Sequence, residues 1–295
     1  MEKILITGAN GFLGQHLSLY LAANGHAVFA SGRDACKIPL SGNYIYTSLE
    51  LTNKNEVLAA VHAIRPTVIV HAAAMSKPDD CDKDREQCML NNVTATNYLV
   101  DAANAVRASV LYVSTDFVFG EGGPHSEEDI PVPLNFYGES KWMAEQLVKA
   151  NAKHYAIMRP VFIYGKIWDG IRPTFLHWVK HNLEQHRPIK VVSDQYRTPT
   201  YVIDLCKGVE AMIRQKVAGD FHLAGKDVLS PYDMAITVAD ILQLDKSLIE
   251  SVTSATFPEP VKRAKQSGLK IDKAKRELGY DPVSFEEGVR KSFEV

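Results

Sequence analysis

The sequence predicts an α/β protein built on a doubly wound parallel sheet, with a smaller C-terminal lobe attached. Three observations predict it. The chain begins with an apolar run, Ile4-Leu5-Ile6, followed by glycines at Gly8, Gly11 and Gly14 and by Leu13, Leu17 and Leu21 at helical spacing. Short apolar runs then alternate with helical stretches to about residue 165, the pattern of parallel strands between two helix layers. Beyond Gly165 the alternation breaks down. The expected division is therefore a Rossmann-type nucleotide-binding domain over 1–165, to which 191–224 returns, and a substrate-binding lobe over 166–190 and 225–295.

Taken in order, Ile4–Ile6 has the β-branched character of a strand buried on both faces. The turn after it can close tightly at Gly8, admit a phosphate at Gly11 and let helix pack on strand at Gly14. Backbone N–H groups and a helix N-terminus then face a pyrophosphate. We assign Gly8, Asn10, Gly11, Phe12, Leu13 and Gly14 to dinucleotide binding. The spacing is G-x-x-G-x-x-G rather than G-x-G-x-x-G, and glycines alone would also serve a ligand-free turn. The first helix ends near Asn24-Gly25, and Ala27–Ser31 is the second strand. NAD-binding folds place an acidic residue at its end. Here Ser31-Gly32-Arg33 stands there, and a hydroxyl with a guanidinium suits a 2′-phosphate. NADP is favoured, with NAD the cofactor if Asp34 holds the ribose and Arg33 is a solvated charge.

Tyr44–Tyr46 is a third short strand. Residues 55–64 form a helix stopped by Pro66. Val68–His71 is the fourth strand. His71 reads as a packed strand-end residue, and the small residues Ala72, Ala73 and Ala74 let the backbone pass close to a cofactor. Residues 77–83 read as a polar loop. A long helix from about Arg85 to Val106 carries Asn91, Asn92 and Asn97. Asparagine is unfavourable inside a helix, so one of them is expected to bond a strand end or a water, and Asn92 is assigned to the cofactor side. The fifth strand, Ser109–Ser114, ends at Ser114-Thr115-Asp116, at the sheet edge where open parallel sheets bind ligands. A loop over 117–133 leads to a helix carrying Tyr137 and Lys141. Tyr155–Met158 is the next strand. Beyond Gly165 the sequence suggests an irregular loop over 167–172, a helix over 173–184, a strand over 189–192, a polar loop over 194–200, a helix over 202–214 and a strand over 220–223. A helix capped by Ser230 runs to about Leu242, and a last helix, Asp272–Leu278, is closed by Gly279.

The formal net charge is −2, which makes no electrostatic case for nucleic acid or an anionic membrane. No stretch has the roughly 18 uninterrupted apolar residues of a membrane span. Cys36, Cys81, Cys88 and Cys206 form no C-x-x-C pair and suit neither zinc nor a disulfide framework. The expectation is a cytoplasmic protein with reduced thiols and no metal.

The chemistry is concentrated in Tyr137-x-x-x-Lys141 with Ser114-Thr115 upstream. A tyrosine with a pKa of about 10 is a poor proton donor and acceptor near neutrality. An ammonium one helical turn away stabilises the phenolate, and a drop of roughly 3 units corresponds to about 4 kcal/mol. Thr115 can hold the oxygen that exchanges a proton with Tyr137. Beside a nicotinamide this is a hydride-transfer site between carbonyl and alcohol. The plainer reading is a buried ring and a solvated lysine.

Gly8-x-x-Gly11-x-x-Gly14, Tyr137-x-x-x-Lys141 and Arg159-Pro160 together resemble the extended short-chain dehydrogenase/reductase family. Residues 114–119 (Ser-Thr-Asp-Phe-Val-Phe) and Asp194-Gln195-x-x-x-Pro199-Thr200 resemble its dTDP-4-dehydrorhamnose reductase branch. The resemblance implies a catalytic set of Thr115, Tyr137 and Lys141, with Lys141 also holding the nicotinamide ribose and Ser114 and Asp116 on the substrate. It implies NAD(P)H-dependent reduction of a nucleotide-linked 4-keto deoxysugar. Related dehydratases carry Thr-Asp-Glu after this strand. Here Phe117 follows Asp116, which disfavours elimination. The branch commonly has glycine at Arg197, whereas epimerases of the wider family place an arginine seven residues before an aspartate, as Arg197 stands before Asp204. There it binds the nucleotide diphosphate, and we assign Arg197 to substrate phosphate. The tail 263–269 (Arg-Ala-Lys-Gln-Ser-Gly-Leu) matches the branch only in part. Two other functions stay open: an NAD-dependent nucleotide-sugar epimerase, and an NADP-binding regulatory subunit like that of methionine adenosyltransferase. The helices at about 85–106 and 141–150 pair subunits in relatives, so a homodimer is an open expectation.

Overall fold

The computed structural model describes residues 1–39, 41–168, 171–257 and 260–295. The loop expected over 167–172 includes Asp169 and Gly170, which lie outside the described residues.

The first half alternates strands and helices: β1 (Lys3–Thr7), α1 (Phe12–Ala23), β2 (Ala27–Gly32), β3 (Tyr44–Ser48), α2 (Lys54–Ile64), β4 (Val68–His71), α3 (Pro78–Lys83), α4 (Arg85–Met89), α5 (Ala95–Val106), β5 (Ser109–Val113), α6 (Phe136–Asn151) and β6 (Tyr155–Arg159). Then come β7 (Ile163–Tyr164), α7 (Phe175–Glu184), β8 (Ile189–Val192), β9 (Thr200–Tyr201), α8 (Val202–Gln215) and β10 (Gly219–His222). The chain closes with α9 (Pro231–Ile241), β11 (Ile249–Val252), α10 (Asp272–Leu278) and α11 (Phe285–Phe293). The main sheet has seven strands in the order β10-β6-β5-β4-β1-β2-β3, every pair parallel. The doubly wound sheet is the predicted one.

Each face of this sheet buries its own apolar layer. Ile4, Ile6, Leu13, Leu17 and Leu21 pack with α8 on one side. Leu5, Val57, Val61, Leu99 and Val148 pack on the other. Consecutive residues of β1 thus enter opposite cores, as strand geometry requires. A third cluster joins α7, α9 and α11 with β8 and β11. There β8 pairs with β11 rather than with the main sheet, while β10 extends the main sheet beside β6.

Four local outcomes differ from the sequence reading. Residues 78–83 are a short helix, because Pro78 takes its first position and Asp79 and Asp80 sit in its first turn, where the helix dipole favours them. The helix over 85–106 is continuous but widens to a π-helix at Leu90–Thr94. The two-residue strands β7 and β9 pair where the sequence reading gave no strand. Strand β11 and helix α11 lay in residues for which the sequence suggested no element. The cap at Ser230 is a full capping box with Asp233, and Gly279 closes α10 at φ 66°.

Candidate active site

In the main sheet β1 lies between β4 and β2, and the crossovers leave it toward opposite edges. A crevice opens at such a switch point, beyond the carboxyl ends of the strands. It is a cleft of about 540 Å³. Following the strand order, its wall carries Ser31 at the end of β2 and Arg33 just beyond it, then Gly8, Asn10, Gly11, Phe12, Leu13 and Gly14 after β1. Ala72, Ala73 and Ala74 follow β4, and Ser114, Thr115 and Asp116 follow β5, with Tyr137 and Lys141 beside them.

The glycine turn fits a dinucleotide. Gly8 has φ +71°, and a Cβ there would lie 2.6 Å from the Ala73 nitrogen. A Cβ on Gly14 would lie 2.2 Å from the Gly8 carbonyl oxygen. Strand, turn and helix therefore close on one another only without side chains. Helix α1 starts at Gly11 with no side-chain cap and no acidic residue in its first turn. Its leading N–H groups and positive dipole end face the cleft unneutralised, which is what a pyrophosphate requires.

Asn10 lines the cleft, and its side chain is also bonded within the protein. Its Nδ2 donates to the Ala35 carbonyl (3.0 Å) and the Tyr46 hydroxyl (2.8 Å), and its Oδ1 accepts from the Lys37 N–H (2.9 Å). The side chain thus fixes the loop carrying Arg33 against the glycine turn. Ser48 Oγ donates to the Arg33 carbonyl (2.7 Å) and Tyr46 to the Asp34 carbonyl (2.5 Å), which leaves the Arg33 guanidinium exposed at the cleft edge.

Asn92 does not reach the cleft wall. It is buried, accepts the Met75 N–H (2.8 Å), and donates to the Met75 carbonyl (3.0 Å) and Ser140 Oγ (3.0 Å). It braces the loop after β4 against α6, and the neighbouring Asn91 lines the cleft instead. The π-helix at 90–94 changes which face each asparagine presents, a shift that a 3.6-residue period does not reveal. His71 is packed between Thr7 (2.8 Å) and Thr96 (2.9 Å), and burial pulls its pKa down to about 3.

At the chemical end, Asn135 caps α6 by accepting the Gly138 N–H (3.0 Å). A Cβ at Gly138 would lie 2.1 Å from the Phe117 carbonyl oxygen, so the first turn of α6 rests directly on the loop after β5. This holds Tyr137 beside Thr115. Thr115 Oγ1 accepts the Phe117 N–H (3.3 Å) and donates to Asp116 (3.2 Å). Ser114 Oγ is buried with no hydrogen-bond partner among the described residues. Burial pushes the Tyr137 hydroxyl well above its ordinary value, and a hydrogen bond with Thr115 pulls it part of the way back.

Lys141 corrects the expectation for Tyr137. Its side chain is 2% exposed, and Nζ donates to the Val113 carbonyl (2.8 Å) and lies 4.1 Å from the centre of the Tyr112 ring. Burial pulls its pKa down to about 7, with Glu145 opposing. The ammonium is turned to the end of β5, and burial of the phenol outweighs any lowering it exerts on Tyr137.

Arg197 lines a second, small cavity together with Asn135, Arg263 and Ser267. Asp116 and Phe117 border both cavities. Desolvation holds the Asp116 carboxyl above its usual range, and Arg197 pulls the other way. Sequence reasoning missed Glu50 and Leu51 on the cleft wall, although the same carboxyl-end rule applied to β3 points to them. It also missed Phe162, whose φ of 37° in the cleft wall has no sequence signal.

An uncapped helix end for a pyrophosphate, running along one cleft into a threonine, tyrosine and lysine, defines an oxidoreductase of the short-chain dehydrogenase/reductase type. The chain belongs to the RmlD substrate binding domain family, whose model matches residues 1–295. The dTDP-4-dehydrorhamnose reductase of Aggregatibacter actinomycetemcomitans is 29% identical to it over 304 residues, covering 98% of each chain. Methionine adenosyltransferase 2 subunit beta of Pongo abelii is 30% identical over 262 residues, 86% of this chain and 76% of that protein. Among solved structures, dTDP-4-dehydrorhamnose reductase from Bacillus anthracis in complex with NADP is similar with a TM-score of 0.87 at 29% identity, over 100% of this chain and 99% of that one.

Proposed function

We propose that this protein is an NADPH-preferring reductase of a nucleotide-linked 4-keto deoxysugar, like the dTDP-4-dehydrorhamnose reductases it resembles. The observation that carries the reading is the continuity of one cleft from the uncapped N-terminus of α1 to Thr115, Tyr137 and Lys141. Gly8, Gly11 and the first turn of α1 would hold the pyrophosphate, Arg33 the 2′-phosphate, and Ala72–Ala74 the backbone wall between them. The bound NADP of the Bacillus anthracis relative supports that cofactor, and NAD is the alternative. A bound nicotinamide supplies the hydride.

This chain's own residues handle the proton. Tyr137 keeps its proton at neutral pH because burial raises its pKa, so it is poised to donate to the oxygen of the reduced carbonyl. Thr115 and the buried Ser114 hydroxyl bind and orient that oxygen. Lys141, whose pKa burial lowers to about 7, would hold the nicotinamide ribose. Arg197, in the adjoining cavity, would take the nucleotide diphosphate.

The test is to supply NADPH with a panel of nucleotide-linked keto sugars, dTDP-4-dehydrorhamnose first, and to follow loss of nicotinamide absorbance. Absence of turnover across the panel refutes the reductase reading. The methionine adenosyltransferase relative supports a second reading, a dinucleotide-binding regulatory subunit. In that case Tyr137→Phe leaves the biological activity intact, whereas a reductase loses it.

A further inference from the structure

Two thiols lie directly behind the catalytic tyrosine and have no part in the reaction proposed above. Cys81 on α3 and Cys88 on α4 are fully buried and share one apolar cluster with Tyr137, against Met75, Phe117 and Phe136. Both are reduced thiols of that one buried cluster. Cys81 Sγ donates to the Met75 carbonyl (3.3 Å) and Cys88 Sγ to Ser140 Oγ (3.3 Å). Ser140 in turn donates to the Tyr137 carbonyl (2.8 Å). The thiols therefore share the tyrosine's apolar cluster, and Cys88 is linked to its helical turn through Ser140.

From this juxtaposition we propose that Cys81 and Cys88 are a modification site: a dithiol that a peroxide oxidises to a disulfide, displacing Tyr137 and switching the enzyme down. Cys88 is the attacking sulfur. The Asn92 amide donates to its sulfur (3.4 Å), and this bond and the nearby Lys141 charge favour the Cys88 thiolate. The Cys88 thiolate attacks one peroxide oxygen. An S–O bond forms, the O–O bond breaks, and the departing hydroxide takes a proton to become water. Cys81 then gives up its proton as its sulfur displaces hydroxide from the Cys88 sulfenic acid. The S–S bond forms, the S–O bond breaks, and a second water leaves. Two thiols and one peroxide become one disulfide and two waters.

Closing the disulfide removes both S–H donors. The bonds to Met75 and Ser140 are lost, and the first turn of α6 loses the contact that seats Tyr137. The effect on turnover rests on the reading of Tyr137 as proton donor, whereas disulfide formation does not. Tyr137 separates the thiols from the cleft, so oxidation proceeds through motion of its ring and is slowed by bound NADPH.

The experiment treats the full-length protein with hydrogen peroxide, quenches under denaturing conditions with an alkylating agent, and maps the peptides, reading Cys36 and Cys206 separately. The expected product is a Cys81–Cys88 disulfide, reversed by dithiothreitol and absent in Cys81→Ala. The Tyr137 ring resonance, assigned with Tyr137→Phe, shifts on oxidation, and kcat falls about 10- to 100-fold. Two alkylated thiols at 81 and 88 in the wild-type protein overturn the proposal, as does a disulfide that leaves the Tyr137 resonance in place. Failure of the reductase reading is separable, because the reduced protein would then turn over no sugar while the peptide map and the resonance still report.

Discussion

Replacing Lys141 with methionine should stabilise the fold while abolishing its activity, and the stabilisation should depend on pH. The lysine is buried, and its pKa falls from the ordinary 10.5 to about 7. Below pH 7 both folded and unfolded chains carry the proton. Between about 7 and 10.5 only the unfolded chain does, so stability rises with pH across that window. Equivalently, the buried charge costs the folded state roughly 5 kcal/mol below pH 7, and the cost disappears as pH passes 10.5. Methionine removes the cost but leaves the Val113 carbonyl without its donor, a loss of about 1–3 kcal/mol, and forfeits about 1 kcal/mol of ring contact with Tyr112. The variant should be more stable than wild type by about 1–3 kcal/mol at pH 6, and this advantage should shrink by about 3 kcal/mol by pH 9. Urea denaturation of both proteins at the two pH values measures it. A stability difference that does not change with pH would mean that Lys141 does not titrate near 7, and would sink the reasoning.

Tyr137→Phe should reduce kcat by about 10²- to 10⁴-fold while NADPH binding by fluorescence titration stays within a factor of about two. Retained turnover would remove Tyr137 from the chemistry. Arg33→Ala should weaken NADPH by about 10- to 100-fold and leave NADH nearly unchanged, as loss of one charge-assisted pairing implies; equal weakening in calorimetry would contradict the 2′-phosphate assignment. Gly14→Ala, whose Cβ would meet the Gly8 carbonyl at 2.2 Å, should cost about 1–3 kcal/mol in thermal unfolding and weaken either dinucleotide. His16, His71 and His222 are buried with pKa values near 4, 3 and 3. The unfolded chain binds their protons first as pH falls below about 6.5, so stability should drop by about 5 kcal/mol from pH 7 to 5. Equal urea midpoints at the two pH values would count against it.

What could be read in the sequence was whatever a backbone demand or a local period imposes. The glycine turn was legible because Gly8 needs a positive φ and Gly14 a bare Cα, and because the leucines after it repeat at 3.6. Tyr137 and Lys141 were legible because one helical turn separates them. Where their polar heads go was not, since that depends on a partner distant in sequence. Lys141 turns to Val113, 28 residues upstream. Asn10 reaches Tyr46 and Ala35, and Asn92 reaches Met75 and Ser140. In each case the residue type announced an unusual polar group and the fold chose its use.

The same logic explains why the chemical end of the cleft is assembled from groups that are costly to bury. Ser114 has no hydrogen-bond partner among the described residues, Lys141 is desolvated, and Tyr137 and Asp116 are held above their ordinary pKa values. None of these improves the fold, and all four line one cleft. The buried Arg159, by contrast, is matched by Glu145 and Asp220 and lies outside the cleft wall. Uncompensated burial gathered along one cleft, beside a paired network around Arg159, is the pattern expected of a working site. That distinction ties Thr115, Tyr137 and Lys141 together more firmly than their spacing in sequence does.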